Sequence, residues 1–382
     1  MNRFSIISGD GGAHLLSTRI LFFYILREQL KVFVLAALGI TVVMNFGAVI
    51  VYLQGYPLPL GSLLKILPYH MPVLFPWIFP LAVLMATTLT YGRLASDNEI
   101  LAIQMCGMHL IRPVVPALTL GILITAMVLV GNDWLLPWCR KREYEMYLQE
   151  SDRILVRVFQ SKEKLKGGNY TLTWEDFRNR TLYHVTVRQR EGEDLVAEYT
   201  ARTGTYSTNG QELTLELRDI TGTHFRDGLE IRWDSHTQTI PLKGVFMREP
   251  GDKALTTAGL LRKLEEKYGL LAPMPENGEA AKAVEQQVRG LWISIYSRSG
   301  LAMSALAFAL IGVPLGILAR QAHMLSAFFL GCLPVMLVFY PIFLMGQSMA
   351  EEGTISAAAA CWTPDAVLAV MGIGLLGWLF VR

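Results

Sequence analysis

Residues 32–53 read VFVLAALGITVVMNFGAVIVYL, a run of 22 residues without a charged side chain. An α-helix needs about 20 consecutive apolar residues to cross the hydrocarbon core of a bilayer. Similar runs recur along the chain, in which 52% of the residues are hydrophobic and only 17% are charged. The sequence therefore predicts an α-helical membrane protein with six transmembrane helices, near residues 32–53, 69–91, 111–131, 299–318, 325–348 and 363–381.

Charged residues concentrate between the third and the fourth predicted spans. Residues 135–290 hold 24 of the 34 Lys and Arg residues and 24 of the 32 Asp and Glu residues. Within them, ELTLELRDI (212–220) alternates leucines with polar residues, as a half-buried strand does. Further alternating runs cover residues 169–174, 181–188, 194–200, 223–233 and 237–242. Turn residues separate these runs, so we expect an all-β domain inserted between two groups of three helices.

The cations of the short loops predict the orientation, because Arg and Lys favour the cytoplasmic ends of membrane helices. If the N-terminus is cytoplasmic, the cytoplasmic flanks carry Arg3, Arg19, Arg27, Lys31, Arg93, Arg112, Arg320 and Arg382. The opposite flanks carry Lys65, with Arg298 at an edge. We therefore expect both termini in the cytoplasm and the β domain outside.

This orientation divides the chain into four parts. Residues 1–31 are expected to form a cytoplasmic tail, flexible over 1–15, and an interfacial helix over 15–30. The first three transmembrane helices occupy residues 32–131. The outer β domain with a helical connection occupies 132–290, and the last three helices occupy 291–382.

Several kinds of chemistry are missing from the sequence. The chain contains no Gly-Lys dipeptide, which excludes a nucleotide-binding P-loop. The cysteines and the strand histidines lack the spacing of metal ligands. The interiors of the predicted spans lack Asp, Glu, Lys and Arg, with Asp365 at the mouth of the last span, which argues against an ion-coupled carrier and an intramembrane enzyme. We expect no catalytic site, no metal, no cofactor and no nucleic-acid partner.

The second predicted span carries a proline at every fourth residue, at Pro68, Pro72, Pro76 and Pro80. Each proline removes a backbone hydrogen-bond donor from the helix. Two interpretations are open, a kinked helix end and a compliant wall that moves during function.

A short charged segment, GRLASDNEILAIQMCGMH (92–109), separates the second and third predicted spans. Ser96 or Asp97 is expected to cap a helix that begins with Asn98 and Glu99. Helical spacing groups the apolar side chains of this helix on one broad arc, formed by Ile100, Leu101, Ile103 and Met105. The opposite face carries Glu99, Ala102 and Cys106, and the expected helix stop is Gly107. An acidic tip and a face of small residues favour docking into a groove on a cytoplasmic partner, whereas the alternative is a helical hairpin on the membrane surface.

With this layout, the chain resembles the lipopolysaccharide export permeases, the LptF/LptG family of ABC transporter subunits. The most specific match is YGRLASDNEILAIQMCGMHLIRPVVP (91–116), which is similar to the family's loop between its second and third spans. The segment RSGLAMSALAFALIGVPLGI (298–317) is similar to the family's fourth span, and ILREQLK (25–31) is similar to its first helix. The resemblance covers nearly the whole chain.

The resemblance implies a non-catalytic subunit of the bacterial inner membrane that pairs with a second permease and a cytoplasmic ABC ATPase dimer. The loop helix would be the coupling helix that meets the ATPase, and its site residues would be Arg93, Asp97, Asn98 and Glu99. Among these, Glu99 matches the family's acidic residue. The spans would take up lipopolysaccharide, and a β-jellyroll-like periplasmic domain, with one apolar face for acyl chains, would pass it to a periplasmic bridge protein.

Arg298 is the candidate lipid-binding residue. A guanidinium binds phosphate through two parallel N–H groups, so Arg298 at the outer edge of the fourth span would contact a lipid A phosphate. The alternative is an interfacial arginine that extends its charged end to the membrane surface. This span departs from the family pattern at Ser297 and Ala302, where a second cation and a proline are common.

The predicted function is a permease subunit of an ATP-driven lipopolysaccharide exporter. The alternative is a membrane-anchored sensor or scaffold whose outer β domain binds a ligand. Six spans and an acidic cytoplasmic helix favour the transporter, because a sensor needs only one or two anchors and an output domain.

Overall fold

The computed structural model describes residues 10–55, 60–109, 111–161, 164–167, 169–191, 194–224, 229–241, 251–271, 279–320 and 324–381. The α-helices in these ranges are α1 (Asp10–Gly55), α2 (Leu60–His70), α3 (Phe75–Ser96), α4 (Glu99–Met105), α5 (Ile111–Asp133), α6 (Leu135–Ser161), α7 (Thr257–Leu271), α8 (Glu279–Leu318), α9 (Met324–Pro334), α10 (Tyr340–Glu352) and α11 (Ala357–Val381). The strands are β1 (Leu165–Gly167), β2 (Tyr170–Thr173), β3 (Asp176–Arg178), β4 (Thr181–Glu191), β5 (Asp194–Thr208), β6 (Glu212–His224) and β7 (Leu229–Pro241).

Six helical stretches of the described residues are long and apolar enough to cross a membrane. They are Thr18–Ile50, Gly61–Ser96, Ile111–Asp133, Ala280–Leu318, Phe329–Glu352 and Ala357–Leu379. Each overlaps one of the predicted spans, so the prediction of six apolar helical stretches is confirmed. In chain order, three of them precede the strands and three follow them.

The first helix is longer than predicted. Helix α1 continues without a break from Asp10 to Gly55, over 46 residues. Residues 15–30 are therefore not a separate interfacial helix, and residues 10–15 are helical rather than part of a flexible tail. The physical reason is that no proline interrupts this segment, and the charged residues of its first half are compatible with helix. Residues 1–9 of the predicted tail lie outside the described residues.

Two of the apolar stretches change their helical geometry next to prolines. A 3₁₀ turn over Met71–Leu74 separates α2 from α3, and a π-helical turn over Val335–Phe339 separates α9 from α10. A proline lies within or beside each turn, and its missing N–H weakens the regular α-helical pattern there. The irregular turn in the second span agrees with the interpretation of its prolines as a kink, and the fifth span also contains an irregular turn.

Helix α8 contacts α3, α5 and α11 in one compact unit made of Met1–Val43, Leu74–Leu136 and Leu255–Arg382. Its glycines allow close approach: a Cβ at Gly312 would overlap the Thr87 hydroxyl of α3. Asp365 lies eight residues inside α11 rather than at the mouth of a span. Its side chain is buried, and neither carboxyl oxygen has a hydrogen-bond partner among the described residues.

The strands form one antiparallel sheet in the order β1-β2-β4-β5-β6-β7, and β3 also pairs with β4. Leu213, Leu215 and Leu217 are fully buried, which confirms the face predicted from their alternation. The predicted run 223–233 is not one strand, because β6 ends at His224 and β7 begins at Leu229. The short strands β1 and β3 escaped prediction because three residues are too few to show an alternation.

The sheet belongs to a second compact unit, made of Met44–Val73 and Pro137–Ala254. Polar pairs join α2 to α6 within it. Glu150 of α6 accepts hydrogen bonds from Lys65 at 2.6 Å and from Ser62 at 2.7 Å. The ring of His70 lies 2.9 Å from the buried Glu143 carboxylate. This unit therefore includes the residues that connect the first two apolar stretches as well as the β domain.

Candidate coupling surface and lipid contact

The turn between α3 and α4 places three of the predicted coupling residues next to one another. The Asp97 N–H donates to the Arg93 carbonyl at 2.9 Å, which ends α3. Asn98 follows in the left-handed conformation, with φ of 57°, and occupies the N-cap position of α4. Asn adopts this conformation more readily than most residues because its short polar side chain bonds locally. Both Asp97 and Asn98 are exposed, so the turn is open to a partner.

The predicted cap of α4 is wrong. Ser96 still belongs to α3, and its hydroxyl donates to the Arg93 carbonyl at 2.9 Å. At the N-cap position, Asn98 makes no capping hydrogen bond with its side chain to any residue that the structure describes. The predicted end is confirmed: Gly107 has φ of +74°, and its N–H donates to the Gln104 carbonyl at 2.9 Å.

The apolar arc predicted for α4 divides into two faces. Ile100 and Ile103 are each only 8% exposed, whereas Leu101 is 52% exposed and Met105 is 81% exposed. Ile100 packs in a core with residues of α1, α3, α5, α8 and α11. The inner face, with Ile100 and Ile103, thus packs α4 against the neighbouring helices. The outer face exposes Leu101 and Met105 beside the small residues Ala102 and Cys106.

A polar network on the same surface connects α4 with α1 and α3. The Tyr24 hydroxyl lies 3.2 Å from each carboxylate oxygen of Glu99. Arg93 donates to Tyr24 at 3.5 Å and forms an ion pair with Glu28 at 3.3 Å. The structure therefore brings Arg93 and Glu99 together through a tyrosine of α1.

Tyr24 and Glu28 were not predicted as members of this site. Glu28 lies within ILREQLK, the segment of α1 that resembles the family's first helix. This resemblance was the sequence signal that could have pointed to Glu28. Nothing in the local sequence pairs Tyr24 with Glu99, because 75 residues separate them. Only the packing of α1 beside α3 brings them into contact.

Arg298, the predicted lipid contact, lies far along α8 from the coupling residues. Gly316 of α8 packs beside Gly92, and the separation of 18 positions between Arg298 and Gly316 corresponds to about 27 Å of helix. Arg298 is half-buried, and its guanidinium donates to the Leu255 carbonyl at 2.8 Å. Its own carbonyl accepts from Asn132 at 3.1 Å. The side chain thus holds the start of the α7 segment against α8.

The apolar face of the sheet is covered by α6. Ile154, Leu155, Val158 and Phe159 share one buried core with the inward-facing strand residues. The Phe159 ring lies 5.0 Å from the Trp174 ring, whose indole N–H donates to the Phe159 carbonyl at 2.9 Å. The expectation that this face holds acyl chains is therefore wrong at these positions, because a helix of the same chain occupies it.

A comparison with known proteins identifies the family of this chain. The family described as lipopolysaccharide export system permease LptF/LptG matches residues 23–378. The chain belongs to this family. No curated protein matches the chain in a sequence search.

Membership in the LptF/LptG family bears on the location and the role of the chain. Together with the six apolar stretches it indicates a multi-pass protein of the inner membrane and a transport subunit for lipopolysaccharide. The match includes α4 and the candidate coupling residues Arg93, Asp97, Asn98 and Glu99, because it runs from residue 23 to residue 378.

Proposed function

We propose that this LptF/LptG subunit couples ATP hydrolysis by a cytoplasmic partner to lipopolysaccharide export through α4. The observation that carries the proposal is the outer face of α4, where Leu101 and Met105 are exposed beside Glu99. Exposed apolar side chains next to a charge are typical of a protein interface. Glu99 is held in place by Tyr24, so the docking surface is ordered before the partner binds.

The proposed assembly contains an ATPase dimer, this chain, a second permease of the family and a periplasmic bridge protein. Both termini and α4 lie in the cytoplasm, as the loop cations predict. The six helices span the membrane as two groups of three, and the sheet lies in the periplasm as a jellyroll-like domain. Antiparallel strands with one apolar face support this assignment.

Arg298 is the proposed contact for a lipid A phosphate in this mechanism. The hydrogen bond to Leu255 holds the guanidinium in place, and a guanidinium can bind a phosphate through two parallel N–H groups. The bond also fixes the side chain near the middle of α8, just before the apolar run 299–318, and we place a lipid phosphate of the outer leaflet at this level. Release of lipid then accompanies movement of α8 relative to its neighbours.

The experiment replaces Glu99 by Arg in the full-length chain and measures co-purification of the ATPase from native membranes. We expect the charge reversal to abolish association, because Glu99 lies at the centre of the docking surface. The matched control is Glu351→Arg, which reverses an exposed charge at the opposite end of the helices. Unchanged association and export in Glu99→Arg contradict the proposal.

A further inference from the structure

An open cavity of about 450 Å³ lies where α8 meets the segment that joins α10 to α11. Its lining includes two aromatic rings, a guanidinium and two hydroxyl groups, from Trp292, Tyr296, Arg289, Thr354 and Ser356. All of these residues belong to the helical unit. The cavity shares no lining residue with the coupling surface, and Arg298 is not among its lining residues.

The two aromatic rings are held in a fixed arrangement. Trp292 and Tyr296 stack with ring centroids 5.6 Å apart and an interplanar angle of 23°. The Trp292 indole N–H donates to the Tyr268 hydroxyl at 3.3 Å, which sets the direction of the indole. Both rings are half-buried, so part of each aromatic surface borders the cavity. Rigid aromatic rings bind a flat apolar surface at a low cost in conformational entropy.

Arg289 is also fixed, and its charge is neutralised. It forms an ion pair with Glu285 at 2.6 Å and donates to the Glu352 carbonyl at 2.9 Å. Gly353 adopts φ of +83° against the guanidinium, and a Cβ at this position would overlap it. The remaining N–H groups serve as hydrogen-bond donors, but the paired charge does not provide a strong anion site. The exposed Glu351 and Glu352 side chains add further negative charge nearby.

We propose that this cavity binds a sugar ring. A pyranose has an apolar face of C–H groups that stacks on an aromatic ring, and an edge of hydroxyls that needs donors and acceptors. Trp292 and Tyr296 provide aromatic rings for the apolar face of the sugar. Arg289, Thr354 and Ser356 provide hydrogen-bonding groups for its hydroxyls. A free phosphate fits less well, because Glu285 already occupies the guanidinium charge.

The location agrees with a sugar that belongs to a membrane lipid. The cavity lies at the ends of two apolar stretches, which terminate at Glu352 and begin at Ala357. Such ends lie at the level of the lipid headgroups. The identification of the sugar as part of the lipopolysaccharide cargo rests on the proposed function, whereas the cavity and its chemistry do not.

The test uses the full-length chain in an amphipol, because detergents with sugar headgroups would occupy the site. The probe is the core oligosaccharide of lipopolysaccharide after removal of its acyl chains and phosphates, titrated by calorimetry. We expect Trp292→Ala to weaken binding about tenfold, as loss of an aromatic contact does. Thr354→Trp fills the cavity from an exposed loop position and is expected to weaken binding at least as much without loss of folding. Trp134→Ala, which removes an 80% exposed indole elsewhere, is the control.

The outcomes separate the site from the proposed function. Oligosaccharide binding that survives in Glu99→Arg, a variant defective in ATPase association, supports a site independent of coupling. Competition by maltose supports free saccharides as the source of the ligand, and failure of maltose to compete supports the glycolipid. The proposal is overturned if the wild-type chain does not bind the oligosaccharide, if Thr354→Trp binds equally well, or if inorganic phosphate displaces the oligosaccharide.

Discussion

The hydroxyl of Tyr24 lies 3.2 Å from both carboxylate oxygens of Glu99 and thereby ties α1 to the first residue of α4. The contact lies on the surface, whereas Ile100 fixes the same turn of α4 from inside. Under the proposed function, a partner that moves α4 would act on α1 through the polar contact and on the helical core through the apolar one. Each of these two connections can be tested separately.

Replacement of Tyr24 by Phe tests the polar connection. The change removes the exposed hydrogen bonds that the hydroxyl makes with Glu99 and Arg93, so we expect a loss of folding free energy of only about 1 kcal/mol. We expect lipid-stimulated ATP hydrolysis by the reconstituted complex to fall about threefold, because Glu99 loses the contact that orients it. Phe23→Leu, at an exposed neighbouring position, is the control. Hydrolysis at the wild-type rate in Tyr24→Phe would show that the Tyr24 hydroxyl takes no part in coupling.

Replacement of Met105 by Asp tests the outer face of α4. Met105 is 81% exposed, so the stability of the isolated subunit is expected to stay unchanged. A charge in an apolar interface is expected to weaken association with the ATPase more than about tenfold. The comparison variant is Gln104→Glu, which adds a charge at an exposed position next to Met105. If the Met105→Asp variant and the wild type bind the ATPase with equal affinity, the outer face of α4 is not part of the interface.

The contact between α2 and α6 predicts a dependence of stability on pH. Hydrogen bonds from Lys65 and then from Ser62 lower the pKa of Glu150 below its usual value. This carboxylate therefore stabilises the fold fully above its unfolded-state pKa, roughly 4.3, and the contribution is lost as the pH falls through the lower folded-state pKa.

Thermal unfolding between pH 7 and pH 3, compared for the wild type and Glu150→Gln, measures this contribution. We expect the variant to be less stable at pH 7 and the difference to disappear at the acidic end. Glu145→Gln, which removes an exposed ion pair with Arg142, is expected to have little effect at either end. If the difference in stability between the wild type and Glu150→Gln stays constant from pH 7 to pH 3, ionisation of Glu150 is not the source of the stabilisation.

The contact between α3 and α8 predicts a steric effect at Gly312. A Cβ at this position would overlap the Thr87 hydroxyl and lie 3.3 Å from the Leu84 carbonyl oxygen. We expect Gly312→Ala to destabilise the helical unit by about 1–3 kcal/mol, as overpacking does. Thr87→Ala in the same chain should restore part of the loss. Gly39→Ala, where nothing lies within 4 Å of the added Cβ, is the control in a thermal unfolding assay.

The local pattern of the sequence determined where the apolar helices and the main strands lie. A long uncharged run needs no information from the rest of the chain to be recognised, and Leu213, Leu215 and Leu217 share a face because a strand repeats every two residues. Gly107 could be assigned as the end of α4 for a similar reason, since a positive φ favours glycine. The segment 92–109 was recognised as a candidate coupling segment because its residues are consecutive.

Only the tertiary structure decided which surfaces of these elements are covered. The sequence placed Met105 and Ile103 on one apolar arc, but the neighbouring helices cover only the side of α4 that carries Ile103. In the β domain, α6 covers the apolar face of the sheet. The contact of Tyr24 with Glu99 and the cavity beside Trp292 depend on residues far apart in the chain. Packing between distant elements is a property of the whole fold, and the periodicity of a local segment carries no information about it.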